Sequence, residues 1–349
     1  MSKKEHFKVA MVGATGAVGE AVLAILDERK FPIGELVPLA SERSAGEPVE
    51  FGRKSLTVKN LADYDFAGVD IAFFSAGASV SRLHAPRAAA AGAAVIDNTS
   101  EFRYQDDIPL VVSEVNPHAI ARYKPRGIIA NPNCSTMQMV VALKPIYDAA
   151  GIERLVISTY QAVSGTGKKG VDELLGQSRA LLAGDEPPDP RAYAHRIAFN
   201  ALPHAGNFAA GDDHTDEELK LVNETRKILG DPSIRISATC VRVPVVNAHS
   251  EAVNVETRSP LSPEEARELL RAAPGVTVLD DPEEGRYPLA IEADGQDDVF
   301  VGRIRRDRGH DQALDMWIVS DNLRKGAATN AIQLAEVLHE RGLVGARVA

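Results

Sequence analysis

The sequence predicts an α/β fold, a doubly wound parallel sheet joined to a second, α+β domain. Three observations carry this. Short apolar runs alternate with helical patterns through the first half, a glycine-spaced turn follows the first run, and longer alternating strands take over after about residue 150. The runs Phe7–Val12, Leu36–Ala40, Asp70–Phe74, Ala93–Asp97 and Gly127–Ala130 are rich in Val, Ile, Leu and Phe and end at Gly, Ser or Asn. Continuous apolar runs of this length fit strands covered on both faces, as in a parallel sheet. Between them, Val18–Glu28 and Ser81–Ala91 read as helices, the second closed by Gly92 just past its end.

Beyond residue 150, Arg154–Tyr160, Arg235–Val246, Glu251–Arg258 and Ala313–Ser320 read as longer strands. Their apolar/polar alternation suits an antiparallel or mixed sheet with one covered face. Gly184–Asp213 is loop-rich and holds the turn-forming run Glu186–Pro190, while Asp216–Leu229 and Ala327–Arg341 read as helices. The last of these is expected to return to the first domain.

The chain has 349 residues, 39 Lys+Arg against 49 Asp+Glu, and 44% hydrophobic residues, which excludes a disordered chain. Its net charge of −10 argues against nucleic acid or an anionic membrane as the main partner. Two cysteines, Cys134 and Cys240, build no disulfide framework and fit a reducing cytoplasm. The N-terminal run MSKKEHFKVAMVGATG lacks a long apolar core, so no signal peptide is expected, and nowhere do eighteen uncharged apolar residues run together.

Gly13-Ala14-Thr15-Gly16-Ala17-Val18-Gly19 follows the first strand and opens a helix. One glycine permits the tight turn, a second lets backbone approach a pyrophosphate, and a third lets helix and strand pack closely. In this context the pattern predicts a Rossmann-type dinucleotide site. The next strand ends in Ser41-Glu42-Arg43-Ser44. Glu42 favours the free ribose hydroxyls of NAD, but Ser41, Arg43 and Ser44 together make a pocket for a 2′-phosphate, so NADP is the expected cofactor.

Asn131-Pro132-Asn133-Cys134-Ser135-Thr136 follows the 127–130 strand and precedes the helical run Met137–Asp148. A thiol at a helix N-terminus sits at the positive end of the dipole, which favours the nucleophilic thiolate. Asn133 and the neighbouring backbone N–H groups are placed to bind an oxyanion. Cys240, inside an alternating strand, reads as a small buried hydrophobe.

With these motifs assembled, GATGAVG, SERSAG, NTSEFR, NPNCST, TYQAVSG, RVPVVNAHSEAV and the closing DNLRKGAATNAIQLAE, the sequence resembles the aspartate-β-semialdehyde dehydrogenase family over essentially its whole length. Thr99, where a second serine is common, is a mild departure. The resemblance implies NADP-dependent reductive dephosphorylation of L-aspartyl-4-phosphate to L-aspartate 4-semialdehyde and phosphate, reversibly, in biosynthesis of lysine, threonine, methionine and isoleucine. It implies Cys134 as the nucleophile that forms a thioester and His249 as general acid/base. It implies Gln161, Arg242 and Glu217 as substrate contacts, with Arg103, Lys220 and Asn133 holding phosphate. Ser164, Gly165 and Asn322 join Gly13, Thr15, Gly16, Ala17, Val18, Ser41, Arg43 and Ser44 on the cofactor side. No metal is implied. A homodimer or a dimer of dimers is implied, with residues 1–133 plus 323–349 as the dinucleotide-binding domain and 134–322 as the catalytic and dimerisation domain.

Elementary geometry bears on some of these roles. Arg242 lies seven residues before His249, so strand alternation alone puts the two on opposite faces unless a turn intervenes, and Pro244 and Asn247-Ala248 supply a break. Glu217 and Lys220 share a helix face, where an ordinary surface ion pair is the competing reading. Residues 165–170 do not satisfy a nucleotide P-loop. Rival functions are a related acyl-phosphate reductase such as N-acetyl-γ-glutamyl-phosphate reductase, a Cys/His hydrolase, which leaves the glycine turn unexplained, and an inactive NADP-binding sensor.

Overall fold

The computed structural model describes residues 5–344. The first four and last five residues lie outside it, and with them part of the expectation about the N-terminal run and the ends of the expected first domain. The chain divides into two compact units, one running to Asn133 and resuming at Ala327, the other spanning Cys134–Gly326.

The first unit contains β1 (Phe7–Val12), α1 (Ala17–Glu28), β2 (Ile33–Ala40), a hairpin of β3 (Pro48–Phe51) and β4 (Lys54–Thr57), β5 (Lys59–Asn60), β6 (Ile71–Phe74), α2 (Ala78–Ala90), β7 (Ala94–Asp97) and β8 (Ile128–Ala130). Its sheet is wholly parallel, in the order β5-β2-β1-β6-β7-β8. The strand order reverses between β1 and β6, and ligands of such sheets bind at that switch point, outside the carboxyl ends of the strands. Val9, Met11, Ile71, Phe73, Ile96 and Ile129 share one apolar cluster with Val22 and Leu26 of α1 and with Ile332 and Leu338 of the C-terminal helix. That helix, Asn330–Glu340, is fastened to α1 by a bidentate Arg29–Glu336 pair at 2.8 and 2.6 Å.

The glycine turn is required by close approach. Gly13 has φ +89°, and a Cβ there would stand 2.7 Å from the Ser75 carbonyl oxygen at the end of β6. A Cβ on Gly19 would lie 2.1 Å from the Gly13 carbonyl oxygen. Side chains at either position push the first turn of α1 off the sheet.

The second unit contains α3 (Cys134–Ala150), β9 (Ile152–Gln161), α4 (Lys168–Ala183), α5 (Asp216–Leu229), β10 (Arg235–Arg242), β11 (His249–Thr257), α6 (Pro263–Ala272), β12 (Val276–Val278), α7 (Ala290–Ala293), β13 (Val299–Arg306) and β14 (Ala313–Ser320). Its sheet is mixed, in the order β10-β9-β11-β14-β13-β12. β9 pairs in parallel with β10 and antiparallel with β11. Register aligns Arg242 with Gln161, and aligns both Cys240 and Glu251 with Thr159. One face carries these residues and is packed by α3 and α5. The other carries Tyr160, Ala252 and Trp317, with the Tyr160 and Trp317 rings 5.3 Å apart and Tyr160 38% exposed. Among the described residues no helix is long and apolar enough to cross a membrane.

Several boundaries differ from the sequence reading. β10 stops at Arg242 and not at Val246, because Pro244 lacks the N–H a ladder needs. α3 begins at Cys134, three residues before the expected Met137, so the thiol is in the helix itself. Residues Arg324–Thr329 form a π-helical turn, and the C-terminal helix starts after it, at Asn330. The β3–β4 hairpin, α4, α6, β12 and β13 are elements the sequence reading left out.

α5 is set by a capping box. Thr215 Oγ1 accepts the Glu218 N–H at 3.3 Å, and Glu218 Oε2 accepts the Thr215 N–H at 2.8 Å. Glu218 Oε1 also accepts the Cys240 N–H at 3.0 Å, tying the first turn of the helix to β10. Replacing Thr215 by Ala is expected to lower unfolding free energy by about 1–2 kcal/mol, measured by urea denaturation; an unchanged midpoint would remove the cap from the account of α5.

Candidate active site

Cys134 is the first residue of α3, where the unpaired N–H groups and the dipole favour an anion. It is partly exposed, whereas Cys240 is buried and has its thiol pushed up, above the useful range, chiefly by desolvation. Of the two free cysteines, only Cys134 is placed to react. Gly326 lies against it: a Cβ there would stand 2.7 Å from Cys134 Cβ, too close for a side chain unless something shifts.

The end of β9 organises the rest. Gln161 Nε2 donates to Ser135 Oγ at 2.7 Å and to Glu217 Oε1 at 2.9 Å. The first bond ties the amide to the residue after the thiol, and the second to the first turn of α5. Glu217 Oε2 takes Lys220 Nζ at 3.0 Å, and Lys220 also reaches Asp216 at 3.2 Å. This is the ion pair that helical spacing predicts, but Glu217 is buried and linked onward to Gln161. Among the described residues Gln161 Oε1 is buried without a hydrogen-bond partner, a neutral acceptor.

The next peptide, Ala162, is held from both sides. Its N–H donates to His249 Nδ1 at 3.0 Å, and its carbonyl accepts from Arg242 Nη1 at 2.6 Å. Arg242 and His249 therefore reach the same site although they sit on different strands. Loop 243–248 reverses the chain between them, which resolves the conflict that simple alternation posed. Gly165 packs against both, since a Cβ there would lie 3.2 Å from Arg242 Nη1 and 3.3 Å from His249 Nε2.

A backbone N–H needs an acceptor, so Nδ1 of His249 is unprotonated and the neutral ring carries its proton on Nε2. Burial, and then the charge of Arg242, push the pKa of His249 down to about 3, with Glu217 acting in the opposite direction. Nε2 is buried and has no hydrogen-bond partner. The Arg242 guanidinium, 7% exposed, keeps its Nε without a partner and lies 6.0 Å from the Tyr193 ring centroid. A neutral donor and a partly unused guanidinium, in a site that Gln161 ties to the first turn of α3, suit a substrate that carries a carbonyl and a carboxylate.

One row deeper on the same face lie Glu251, Thr159 and Cys240. Glu251 is fully buried, neither carboxylate oxygen has a conventional hydrogen-bond partner, and the polar group beside it is the Gln138 amide of α3. Gln138 Nε2 donates to the His249 carbonyl at 3.3 Å. Desolvation holds the Glu251 carboxyl well above its ordinary value, favouring the neutral acid.

The first unit holds the remaining expected positions. Gly16 caps α1 without a side chain, which leaves the helix N-terminus open to a diphosphate. Thr15, Ala17 and Val18 flank it. Ser41 and Arg43 are exposed and Ser44 is half-buried around the turn after β2, and no ion pair of Arg43 occurs among the described residues. An unengaged guanidinium between two serines fits the 2′-phosphate of NADP. Arg103 is buried, donates to the Asn98 carbonyl at 2.8 Å, and sits near Asp97, whose carboxylate takes Ser81 and Thr99. Asn133 is buried at the end of the loop after β8. Among the described residues no group of three or more His, Cys, Asp or Glu side chains is arranged to hold a metal.

Sequence reasoning missed Ser135, the Ala162 peptide, Gly326, Gln138 and Glu251. Two of these had a signal: Glu251 follows His249 by the strand period of two, and Ser135 adjoins the nucleophile. The others are visible only in three dimensions.

Residues 8–123 match the family described as semialdehyde dehydrogenase, NAD binding domain, and residues 143–325 its dimerisation domain. An aspartate-semialdehyde dehydrogenase from Aquifex aeolicus is 56% identical over 97% of this chain and 99% of its own. Among solved structures, Vibrio cholerae aspartate semialdehyde dehydrogenase II complexed with ASA superposes with a TM-score of 0.94 at 51% identity, covering 97% of this chain and 99% of that one. The Candida albicans enzyme with NADP gives a TM-score of 0.76 at 26% identity, covering 97% of this chain and all of that one.

The buried carboxyl yields a pH test. A carboxyl whose folded pKa is raised above its ordinary 4.5 contributes stability below that value, and this is lost as pH rises towards the folded pKa. Glu251→Gln lacks this dependence, so relative to wild type it should gain stability as pH rises from 4.5 towards the folded value, by up to ~1.4 kcal/mol per pH unit crossed. Urea unfolding of both proteins across that range measures it, and a pH-independent difference would mean that Glu251 is ionised.

Proposed function

The chain belongs to the aspartate-semialdehyde dehydrogenase family, and from that premise we propose how its residues carry the reaction. The reaction interconverts L-aspartyl-4-phosphate and L-aspartate 4-semialdehyde plus phosphate with NAD(P), in biosynthesis of the aspartate family of amino acids. The observation that supports the assignment best is the shared Ala162 peptide, which keeps a neutral imidazole and a guanidinium in one site with Gln161 and the Cys134 helix.

In the reductive direction the Cys134 thiolate attacks the acyl carbon. The carbonyl π electrons move to oxygen, and the resulting oxyanion is stabilised by the His249 Nε2–H. On collapse the bond to the phosphate oxygen breaks, phosphate departs with that electron pair, and a Cys134 thioester remains. The Gly13–Val18 turn with Ser41, Arg43 and Ser44 would hold NADP(H), which when bound would supply the hydride to the thioester carbon or take it back. The oxygen again becomes anionic beside His249, and expulsion of the Cys134 thiolate gives the aldehyde. Arg242 grips the substrate carboxylate with the part of its fork that Ala162 does not use. Glu217 and Gln161 Oε1 accept from the α-ammonium, while Arg103, Lys220 and Asn133 take phosphate. Ser164 and Gly165 complete the cofactor side.

We assign NADP over NAD on Arg43 and its flanking serines. We assign a homodimer joined through the sheet face that bears Tyr160 and Trp317, which neither α3 nor α5 covers. A thiolate nucleophile calls for reducing surroundings such as the cytoplasm.

Phosphate-dependent oxidation of aspartate semialdehyde, followed with NADP and NAD in parallel, tests the reading. Cys134→Ala should abolish turnover while leaving NADPH binding intact, and mass spectrometry of quenched wild-type enzyme should find an aspartyl adduct on Cys134. Turnover by the variant, or turnover without that adduct, would remove the thioester. His249→Gln should lower kcat by about 10²–10³-fold. Because the ring stays neutral above about pH 3, the midpoint of the acid limb of kcat/KM near neutrality should be the same in this variant. Loss of that limb would show that His249 titrates there.

A further inference from the structure

We infer that Asn322 is a positioning residue for His249, and that it acts by holding Ala248 in a left-handed conformation. This rests on the reading of His249 as the hydrogen-bond donor to the oxyanion. Ala248 has φ +67° and is 1% exposed. L side chains rarely adopt that region, and alanine has no side-chain polar group to offset the cost. Yet this is the residue that turns loop 243–248 into β11 and points the following ring at Ala162 and Gly165.

The partner of the strained residue is specific. The Ala248 N–H donates to Asn322 Oδ1 at 3.0 Å. Asn322 Nδ2 donates to Ser164 Oγ at 3.0 Å, and the Ser164 hydroxyl lies 3.3 Å from Oδ1. Ser164 is itself fixed, because its N–H donates to the Val246 carbonyl at 3.0 Å, and the Val163 N–H donates to Val245 at 2.8 Å. Asn322 is 3% exposed and Ser164 4% exposed. One buried carboxamide thus joins the turn after β14, loop 243–248 and the segment after β9, and the strained peptide sits at the junction.

The rotation matters because His249 has few other restraints. Its ring is held by a single hydrogen bond, at Nδ1, and Nε2 has no partner. If Ala248 relaxes to an ordinary conformation, the chain direction at His249 changes and both the Ala162 bond and the aim of Nε2 are lost. Asn322 was expected as a cofactor contact, but its oxygen is already engaged by protein.

The discriminating experiment is a double-mutant cycle on the full-length enzyme, with kcat and both KM values measured at saturating phosphate. Asn322→Ala should lower kcat about 30-fold and leave KM for NADP within about two-fold. Glycine reaches the left-handed region without strain, so adding Ala248→Gly should recover at least about five-fold of that kcat. No recovery, or a loss confined to KM for NADP, would overturn the inference and return Asn322 to the cofactor. Should Asn322→Ala fail to fold, Asn322→Asp keeps the acceptor and should hold kcat within about five-fold of wild type; a loss beyond about 30-fold in that soluble variant would also overturn it. His249→Gln separates the two readings. Wild-type kcat in His249→Gln sinks the catalytic assignment, whereas a crippled His249→Gln beside a fully active Asn322→Ala sinks only the positioning role.

Discussion

The Ala162 peptide group has one donor and one acceptor, and both are engaged by side chains: His249 takes the N–H and Arg242 gives to the carbonyl. A main-chain amide at the end of a central strand is among the least mobile groups in a domain, so its two bonds fix two long side chains with little freedom left to lose. The same bonds decide the chemistry. Accepting from a backbone N–H leaves His249 with its proton on Nε2, and giving one N–H to a carbonyl leaves the Arg242 fork partly available for an anion. The neighbouring Gln161, last residue of β9, reaches Ser135 next to Cys134, so Gln161 and the residue after it tie His249 and Arg242 to the start of α3.

Burial then sets the charge states. Beneath the row of His249, Gln161 and Arg242 lies the row of Glu251, Thr159 and Cys240, closed off from water. In that setting a carboxyl, a thiol and an imidazole all move towards their neutral forms. The charges that persist are those with partners, Glu217 with Lys220 and Arg242 with the Ala162 carbonyl. Cys134 stands outside that row, partly exposed at a helix N-terminus, the kind of place that suits a reactive thiol.

Much of this was legible in sequence, for identifiable reasons. The parallel sheet declared itself because its strands are covered on both faces and so read as unbroken apolar runs, as in Phe7–Val12 and Ile71–Phe74. The glycine turn was readable because Gly13 and Gly19 are forced by backbone contacts that no other residue tolerates. β12 and β13 were not, since their pairing partners are distant in sequence and short strands such as Val276–Val278 carry little periodicity. In the candidate site, motifs name side chains, whereas the Ala162 peptide acts through backbone atoms and leaves no compositional trace. Ala248 is harder still: alanine is the residue least indicative of a left-handed turn, and only its φ and its bond to Asn322 reveal it.

Strain at Ala248 and crowding at Gly326 answer the same problem. A thiol, an imidazole and a guanidinium must converge, yet they come from a helix terminus and from two strands that run in opposite directions. The chain enters this unit at Cys134 and leaves it at Gly326, and these two residues are packed so closely that a single methyl group would displace the nucleophile's backbone. Four residues before that exit, Asn322 fastens the turn that aims His249. The short segment Asp321–Gly326 therefore touches both ends of the proton and thiol chemistry through a hydrogen-bond acceptor at one position and the absence of a side chain at the other. Neither feature contacts substrate by this account, and each removes a freedom that the catalytic side chains cannot remove for themselves. That is why the segment demands both an amide and a glycine at fixed spacing, although it contributes neither the nucleophile nor the acid.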